Sequence, residues 1–381
     1  MLHHMATAIR ALTTRRVAFH CDGIPYRFAS VPWRKLLNWL RVEASMHVRP
    51  ETPWGLPTHV QLEPTNFCNL RCALCPVTTG MERPSGFLHF DLFRKIIDEI
   101  GDTVFLLQLW DWGEPFLHPD IYEMIAYARQ KDLRIVSSTN GHVFADQENA
   151  VKVVRSGLDT LIVAVDGVTQ ETYEQYRRGG NLEQVLQGVR EIIAQKRLLG
   201  SATPLVNLRF MVMKQNEHEI PAFKRLAKSL GVDVLTFRTI CPLDAGKKQG
   251  RDRPDMDFLP DDTSYQRFRR DSATNERIRR KRNPCKTLWN NPVIHWNGAV
   301  CPCCFDADEK YALGSLAAES FREIWTGRGY RQFRRKFRDN YRNIDLCSEC
   351  TYAFEGGTCS TEDTLEACFY AMAGESANGR E

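Results

Sequence analysis

Residues 59–77 read HVQLEPTNFCNLRCALCPV. A short β-rich run, HVQLEP, leads straight into Cys68, Cys72 and Cys75, spaced C-x3-C-x2-C. A structural zinc site takes four closed ligands, usually as two pairs. A disulfide framework takes an even number of cysteines in an oxidising setting. A [4Fe-4S] cube takes four thiolates. Three cysteines on a cube leave one iron open to a substrate or cofactor. Because the triad follows a strand directly, it is expected on a β→α loop.

The strand-then-helix alternation continues to about residue 240. Runs 59–64, 103–110, 133–139, 160–165, 206–213 and 234–240 read as strands. Segments 91–100, 121–130, 149–157, 181–200 and 220–231 read as helices. Gly157, Gly200 and Gly231 stand where a helix needs a C′ glycine before the next strand. The strands read as apolar on both faces, as in a parallel sheet covered by helices. Six βα units predict an α/β chain with a partial (β/α)6 TIM-type barrel. Chemistry in such a barrel sits at the C-terminal ends of the strands, where the cysteine triad falls.

Composition sets outer bounds. A chain of 381 residues, 43% hydrophobic and 26% charged, has room for one large domain and a smaller one. A net charge of +4 does not call for nucleic acid. Thirteen cysteines is a high and odd count. No apolar run of spanning length and no secretory h-region is visible, so a reducing cytoplasm with metal or redox chemistry is expected.

Four segments together carry a family resemblance. They are the Cys68/Cys72/Cys75 triad, Trp112-Gly113-Glu114-Pro115 after the second strand, Ser138-Thr139-Asn140-Gly141 after the third, and Ala164-Val165-Asp166-Gly167 after the fourth. In this order they resemble the radical S-adenosylmethionine (SAM) enzymes. The resemblance covers roughly residues 57–240. It implies that the triad holds a [4Fe-4S] cube whose open iron chelates SAM. It also implies that Trp112, Gly113, Glu114 and Pro115 serve the SAM amino group and that Ser138, Thr139 and Asn140 lie near the ribose. Asp166 matches a turn beside SAM, and Arg209 is placed to reach the SAM carboxylate. The implied chemistry is reductive cleavage of SAM to a 5′-deoxyadenosyl radical, which abstracts hydrogen from the substrate. A low-potential electron donor of flavodoxin or ferredoxin type is implied with it. Leu74 and Trp112 depart from the usual aromatic residue and first glycine of the family pattern.

Cysteines gather again at 285–350. Cys285 is followed by Gly298 and Cys303, then by Cys347-x2-Cys350. This resembles the SPASM/twitch extension, a small Fe-S cluster domain, with LGSLAAESFREIWTG at 313–327 as its intervening segment. The implied ligands of one auxiliary [4Fe-4S] cluster are Cys285, Cys303, Cys347 and Cys350. Cys301 or Cys304 in place of Cys303, or zinc in place of iron, stay open. Cys21, Cys241, Cys359 and Cys368 read as ordinary thiols. In sulfatase-maturing relatives an Asp directly follows this ligand and acts as a base. Cys304 holds that position here, and Asp306 is the candidate that remains.

The expected organisation is an extension over 1–56 with a basic amphipathic helix, a barrel over 57–242, a basic linker over 243–284, the cluster domain over 285–352 and a tail over 353–381. The helix around 31–44 is expected to pack on the barrel rather than on a membrane. Tyr330, Phe333, Phe337 and Tyr341 read as a packing stripe between solvated arginines. His118 reads as structural. Two cofactors are expected, SAM and a pair of [4Fe-4S] clusters. The leading expectation is an oxidoreductase that oxidises a small molecule or peptide with the auxiliary cluster as electron acceptor; the basic runs at 267–282 and 328–342 read first as solvated surface, with attraction of an anionic substrate as the alternative. Its rivals are a peptide maturase forming crosslinks or epimers, a radical isomerase or lipid and sugar carbon-skeleton enzyme, and a non-catalytic scaffold. Residues 1–56 read as too short and irregular for a leader-peptide domain.

Overall fold

The structure is a computed structural model that describes residues 2–240, 256–274, 276–358 and 364–370. A hairpin of β1 (Val17–Cys21) and β2 (Ile24–Phe28) comes first. Six parallel strands follow: β3 (His59–Leu62), β4 (Leu106–Gln108), β5 (Arg134–Thr139), β6 (Thr160–Ala164), β7 (Leu205–Val212) and β8 (Val234–Thr239). These are the six expected strands of the partial barrel. Helices Phe90–Ile100, Ile121–Gln130, Gln147–Arg155, Leu182–Leu198 and Ile220–Leu230 make the crossovers. Gly157, Gly200 and Gly231 take φ of +85°, +60° and +73°, the left-handed conformation that stops each helix.

Two additions extend the sheet. β9 (Val293–Ile294) and β10 (Val300–Cys301), from the cysteine-rich segment, lie beyond β3, with β9 parallel to it. β11 (Thr364–Phe369), inside the expected tail, pairs antiparallel with β8. Among the described residues the order is therefore β10-β9-β3-β4-β5-β6-β7-β8-β11.

The two faces of the sheet differ. Leu107, Ile135, Leu161, Leu208, Phe210 and Leu235 point outward and pack on Phe93, Ile97, Met124, Ile192 and Phe223 of the helices. Each such side chain contributes roughly 1.5–3 kcal/mol by leaving water. The inner face is only partly apolar, which corrects the sequence reading. Leu106, Val136 and Ile162 form its lower layer, while Gln108, Asn207 and Thr236 are buried polar groups. Thr236 Oγ1 donates to Asn207 Oδ1 at 3.0 Å, and Gln108 Oε1 accepts from Asn291 Nδ2 at 3.3 Å.

The hairpin fills the lower interior. Cys21, Ile24 and Tyr26 pack on Leu106, Val136 and Ile162, and Tyr26 Oη donates to Thr160 Oγ1 at 2.8 Å. Its turn is Asp22-Gly23, with φ of +60° and +76°, a type I′ geometry that matches strand twist. The helix Trp33–Val48 buries Leu36, Trp39, Val42 and Met46 against Phe105 and against Leu288 and Trp289. It packs on the protein, as expected, and leaves Trp33 and Leu37 exposed.

In the cysteine-rich domain the helix Arg328–Asn340 buries Tyr330, Phe333 and Phe337, and Tyr341 follows them into the core. One arginine breaks the expected solvated pattern. Arg334 is fully buried between the Trp325 and Tyr330 rings and donates to the carbonyls of Leu288, Glu51 and Trp325. Cys241 and Cys359 lie outside the described residues; Cys368 lies on β11.

Candidate active site

A cleft of ≈ 1280 Å³, counting its open mouth, lies at the C-terminal ends of the barrel strands. Cys68, Cys72 and Cys75 line it together, on the loop that leaves β3. Backbone bonds hold that loop: Arg71 N–H donates to the Arg178 carbonyl and Ala73 N–H to the Tyr176 carbonyl, both at 3.0 Å. Burial pushes the Cys68 thiol up to about 11 and the Cys75 thiol up to about 12. Such thiols keep their protons until a metal replaces them, which suits ligands gathered for a cluster.

The loop after β4 forms the facing wall, through Trp112, Gly113 and Glu114. Gly113 has φ +89°, and a Cβ there would stand 2.5 Å from the Thr65 carbonyl oxygen. Only glycine lets this loop approach the cysteine loop so closely. Glu114 accepts from Thr139 Oγ1 and Asn140 N–H, both at 2.7 Å. Burial lifts its carboxyl to about 7. Pro115 is buried and opens a short 3-10 turn behind the wall. Ser138, Thr139 and Asn140 line the cleft, and Asn140 Nδ2 reaches Asn69 Oδ1 at 2.7 Å. His118 is held by the Leu88 carbonyl and the Asp120 N–H, away from the cleft lining.

Asp166 is buried behind the wall and acts on the cleft through a partner. Its carboxylate accepts from Arg177 Nε at 2.6 Å and from Met211 N–H at 2.8 Å. Arg177 lines the cleft and places Nη1 at 3.9 Å from Cys72 Sγ. Arg209 lines the cleft as well, but its guanidinium contacts the carboxylate of Asp22 at the hairpin turn. Burial and the like charge of Arg238 hold Arg209 well below its ordinary value. Arg177, Arg238, Arg267 and Phe305 were not singled out from sequence, although all four line the cleft.

A second pocket of ≈ 630 Å³ lies in the cysteine-rich domain. Cys285, Cys303, Cys304, Cys347 and Cys350 line it, with Leu288, Phe333, Phe337 and Leu346 as its apolar shell. Asn283 Nδ2 donates to Cys350 Sγ at 3.4 Å. Burial raises the Cys347 and Cys350 thiols. Cys301 is not part of this lining: it is buried on β10 with Sγ 3.8 Å from His295 Nδ1. Asp306 lies in neither lining; its carboxylate accepts from the N–H groups of Lys310 and Tyr311, a turn-holding role.

A buried charge network joins the two halves. Arg83 grips Glu63 with two bonds of 2.8 and 2.5 Å and donates through Nε to the Ala307 carbonyl. His295 Nε2 lies 3.3 Å from Asp111 Oδ2, and its Nδ1 lies 3.1 Å from Glu309 Oε1. Glu63, Asp111 and His295 bring ligand-type atoms within 4.8 Å of one another. With Glu63 already gripped by Arg83 the set is balanced by protein cations. Burial works against the charged imidazole, but Asp111, Cys301 and Glu309 outweigh it and raise His295 to about 12. Burial lifts the Asp111 carboxyl above its ordinary range, opposed by the hydrogen bond and charge of His295.

Comparison with known proteins agrees with this layout. The radical SAM superfamily model matches residues 62–227, and an iron-sulfur cluster-binding domain model, SPASM, matches residues 285–351. The chain is 26% identical over 315 residues to a tungsten-containing aldehyde ferredoxin oxidoreductase cofactor-modifying protein of Pyrococcus furiosus, covering 72% of this chain and 83% of that protein. It is 23% identical over 278 residues to the antilisterial bacteriocin subtilosin biosynthesis protein AlbA of Bacillus subtilis, covering 71% of this chain and 60% of that one. Among solved structures, Streptococcus suis SuiB bound to S-adenosylmethionine matches with a TM-score of 0.58 at 13% identity, over 92% of this chain and 82% of that one. The chain therefore carries a radical SAM superfamily domain and, C-terminal to it, a SPASM iron-sulfur cluster-binding domain, the domains that take SAM and iron-sulfur clusters as cofactors.

Proposed function

We infer that the chain is a radical SAM oxidoreductase in which Cys68, Cys72 and Cys75 hold the SAM-binding cube. Cys285, Cys303, Cys347 and Cys350 hold one auxiliary cube. The observation that carries this reading is the pair of separate thiol-lined pockets, one in the barrel mouth and one beside it. When bound, SAM and its cluster supply hydrogen-atom abstraction, and the auxiliary cluster supplies an electron sink. The protein binds, orients and excludes water. Glu114, fixed by Thr139 and Asn140, is poised for the SAM ammonium once ionised. Arg177, locked by Asp166, presents a cation beside Cys72 and so favours its thiolate form. Phe305 and Trp110 add aromatic rings to the cleft lining. The substrate is a small molecule or a peptide, the electron donor a flavodoxin or ferredoxin type, and the setting cytoplasmic.

A peptide-maturing reaction is the second reading. The likeness to AlbA, a bacteriocin biosynthesis protein, favours it.

The test is anaerobic reconstitution. Two cubes require about eight iron and eight sulfide per chain. Dithionite-reduced protein should convert SAM to 5′-deoxyadenosine. Replacing Cys68, Cys72 and Cys75 by alanine should abolish that conversion and leave one cluster visible by spectroscopy. In Cys347→Ala/Cys350→Ala the conversion should persist while oxidised product is lost. About four irons, stoichiometric zinc, or SAM cleavage by the triple variant would overturn the assignment.

A further inference from the structure

The helix Trp33–Val48 is apolar on two sides. Its inward side, with Leu36, Trp39, Val42 and Met46, is covered by the rest of the protein. One covered side needs only one apolar stripe. This helix carries a second. At 100° per residue, Trp33, Leu37, Ala44 and Val48 fall within about 60° of one another, opposite Trp39 and Met46. Trp33 is 50% exposed, Leu37 45% and Val48 61%. The surface continues onto both neighbours. Trp54, 52% exposed, belongs to a segment tied to the helix by Trp54 N–H donating to Ser45 Oγ and Leu56 N–H donating to Asn38 Oδ1. Ile9 and Leu12 are exposed on the helix Leu2–Thr14, which packs beside it through Ala11. Six of the twelve large apolar side chains left exposed among the described residues therefore lie between 9 and 54, too concentrated to be scattered surface residues.

The charge around this surface has one sign. Arg41 and Arg34 stand about 20–40° beyond Val48 on the helix, and both are exposed. Arg15 lays its guanidinium over the Trp33 ring at 5.7 Å, and Arg10 is exposed next to Ile9. Residues 1–21 contain no Asp or Glu. Glu43, the one acid of the helix Trp33–Val48, lies at its inward edge near Lys286, and Glu51 is taken by Arg335. A second copy of the chain would set the same arginines against these with no carboxylate to receive them. The convex side of a helix also gives the anchors of a protein partner no pocket to fill, and this side lines neither the cleft nor the cysteine pocket. A bilayer needs no pocket. Tryptophan and leucine enter the boundary between head groups and acyl chains, and arginines at the border meet lipid phosphates.

We propose that this surface docks the protein on an anionic lipid bilayer, with Trp33, Leu37, Val48 and Trp54 in the head-group boundary and Arg34 and Arg41 on the lipid phosphates. The contact is peripheral, since no helix of the described residues is long and apolar enough to cross a membrane. The inward side of the helix packs on Phe105, just before β4, so the docking surface lies toward the end of the barrel opposite the cleft. The cleft then stays open to solvent while the protein is docked.

The experiment uses protein reconstituted with both clusters, under argon, and two kinds of vesicle: phosphatidylcholine alone, and an equal mixture with phosphatidylglycerol. Flotation on a density gradient separates bound from free protein. The expected result is binding to the mixed vesicles at least about tenfold tighter than to phosphatidylcholine, and weaker at high salt. Arg34→Gln/Arg41→Gln should weaken it by roughly twentyfold, at about fivefold per basic residue near an anionic surface. Trp33→Ser/Leu37→Ser should abolish it, with SAM cleavage as in the wild type. Should the serine variant not fold, the arginine variant decides alone. Equal binding to both vesicles, or binding unchanged in the variants, overturns the proposal. Absence of binding to the mixed vesicles overturns it too and leaves the face to a protein: a second copy if Leu37→Ser dissociates a wild-type dimer in sedimentation, another protein if the wild type is a monomer. Vesicle binding is read without turnover, so it stands or falls separately from the catalytic reading.

Discussion

Replacing Arg83 by methionine tests how the barrel is joined to the auxiliary domain. The Glu63 side chain is 0% exposed and Arg83 4%. Their two bonds, 2.8 and 2.5 Å, connect the end of β3 to the segment beyond the cysteine loop. Arg83 Nε then reaches the Ala307 carbonyl. Methionine keeps most of the stem's volume and removes the charge. Glu63 is left buried without its counter-ion, a change worth roughly 3–5 kcal/mol. The Arg83→Met/Glu63→Gln protein removes both charges, so it should recover about 2–3 kcal/mol of that loss. The assay is urea unfolding of reconstituted protein under argon, followed by far-UV circular dichroism, with equal slopes required across the variants. A single variant that loses less than about 1 kcal/mol, or a double variant no more stable than the single, would refute the argument. The first result would mean that water reaches Glu63; the second would mean that the arginine stem, not its charge, carries the joint.

Three further outcomes are expected. His59, enclosed by Thr58, Asn290 and Phe19, has its pKa depressed by burial to about 4. Its neutral ring stabilises the fold above about pH 6.5, and that contribution is lost as pH falls toward 4, because only the unfolded chain takes up the proton there. The ceiling is about 3 kcal/mol, discounted because the residue keeps a partly exposed edge. His59→Gln should flatten the acid limb of the stability curve between pH 4 and 6.5; an unchanged limb rules the effect out. Gly113→Ala should weaken SAM binding by about tenfold or more, because its Cβ meets the Thr65 carbonyl at φ +89°; unchanged affinity by equilibrium dialysis would count against the close approach. Arg334→Leu should cost roughly 2–4 kcal/mol by stranding the carbonyls of Leu288, Glu51 and Trp325, read as a loss in urea midpoint.

Most of the barrel was written locally. Strand residues of β3 to β8 are mainly apolar and β-branched, and a left-handed glycine stops the helix before three of those strands, so period and punctuation coincide with the observed elements. The cysteine triad, the glutamate loop and the Thr139-Asn140 turn are contiguous in sequence, and each follows a strand, so one topology sends all three to the same end. The hairpin was legible but passed over. Asp22-Gly23 between VAFHC and IPYRF is a type I′ turn signal with a strand on each side.

Other features arise only when distant segments meet. Nothing near Arg83 marks it as the partner of Glu63, since burial of a charge depends on what packs over it. Arg334 looks like its solvated neighbours on the helix until Trp325 and Tyr330 close on it. Cys301 stands two residues from Cys303 in a cysteine-rich run, yet strand alternation on β10 turns it toward His295 while Cys303 and Cys304, beyond the strand, reach the pocket. Local propensity and ligand spacing are properties of the sequence alone. Which charges are buried, which thiols share a pocket and which arginines face Asp22 depend on tertiary packing, because desolvation and Coulomb energy are set by neighbours the chain brings together only when folded.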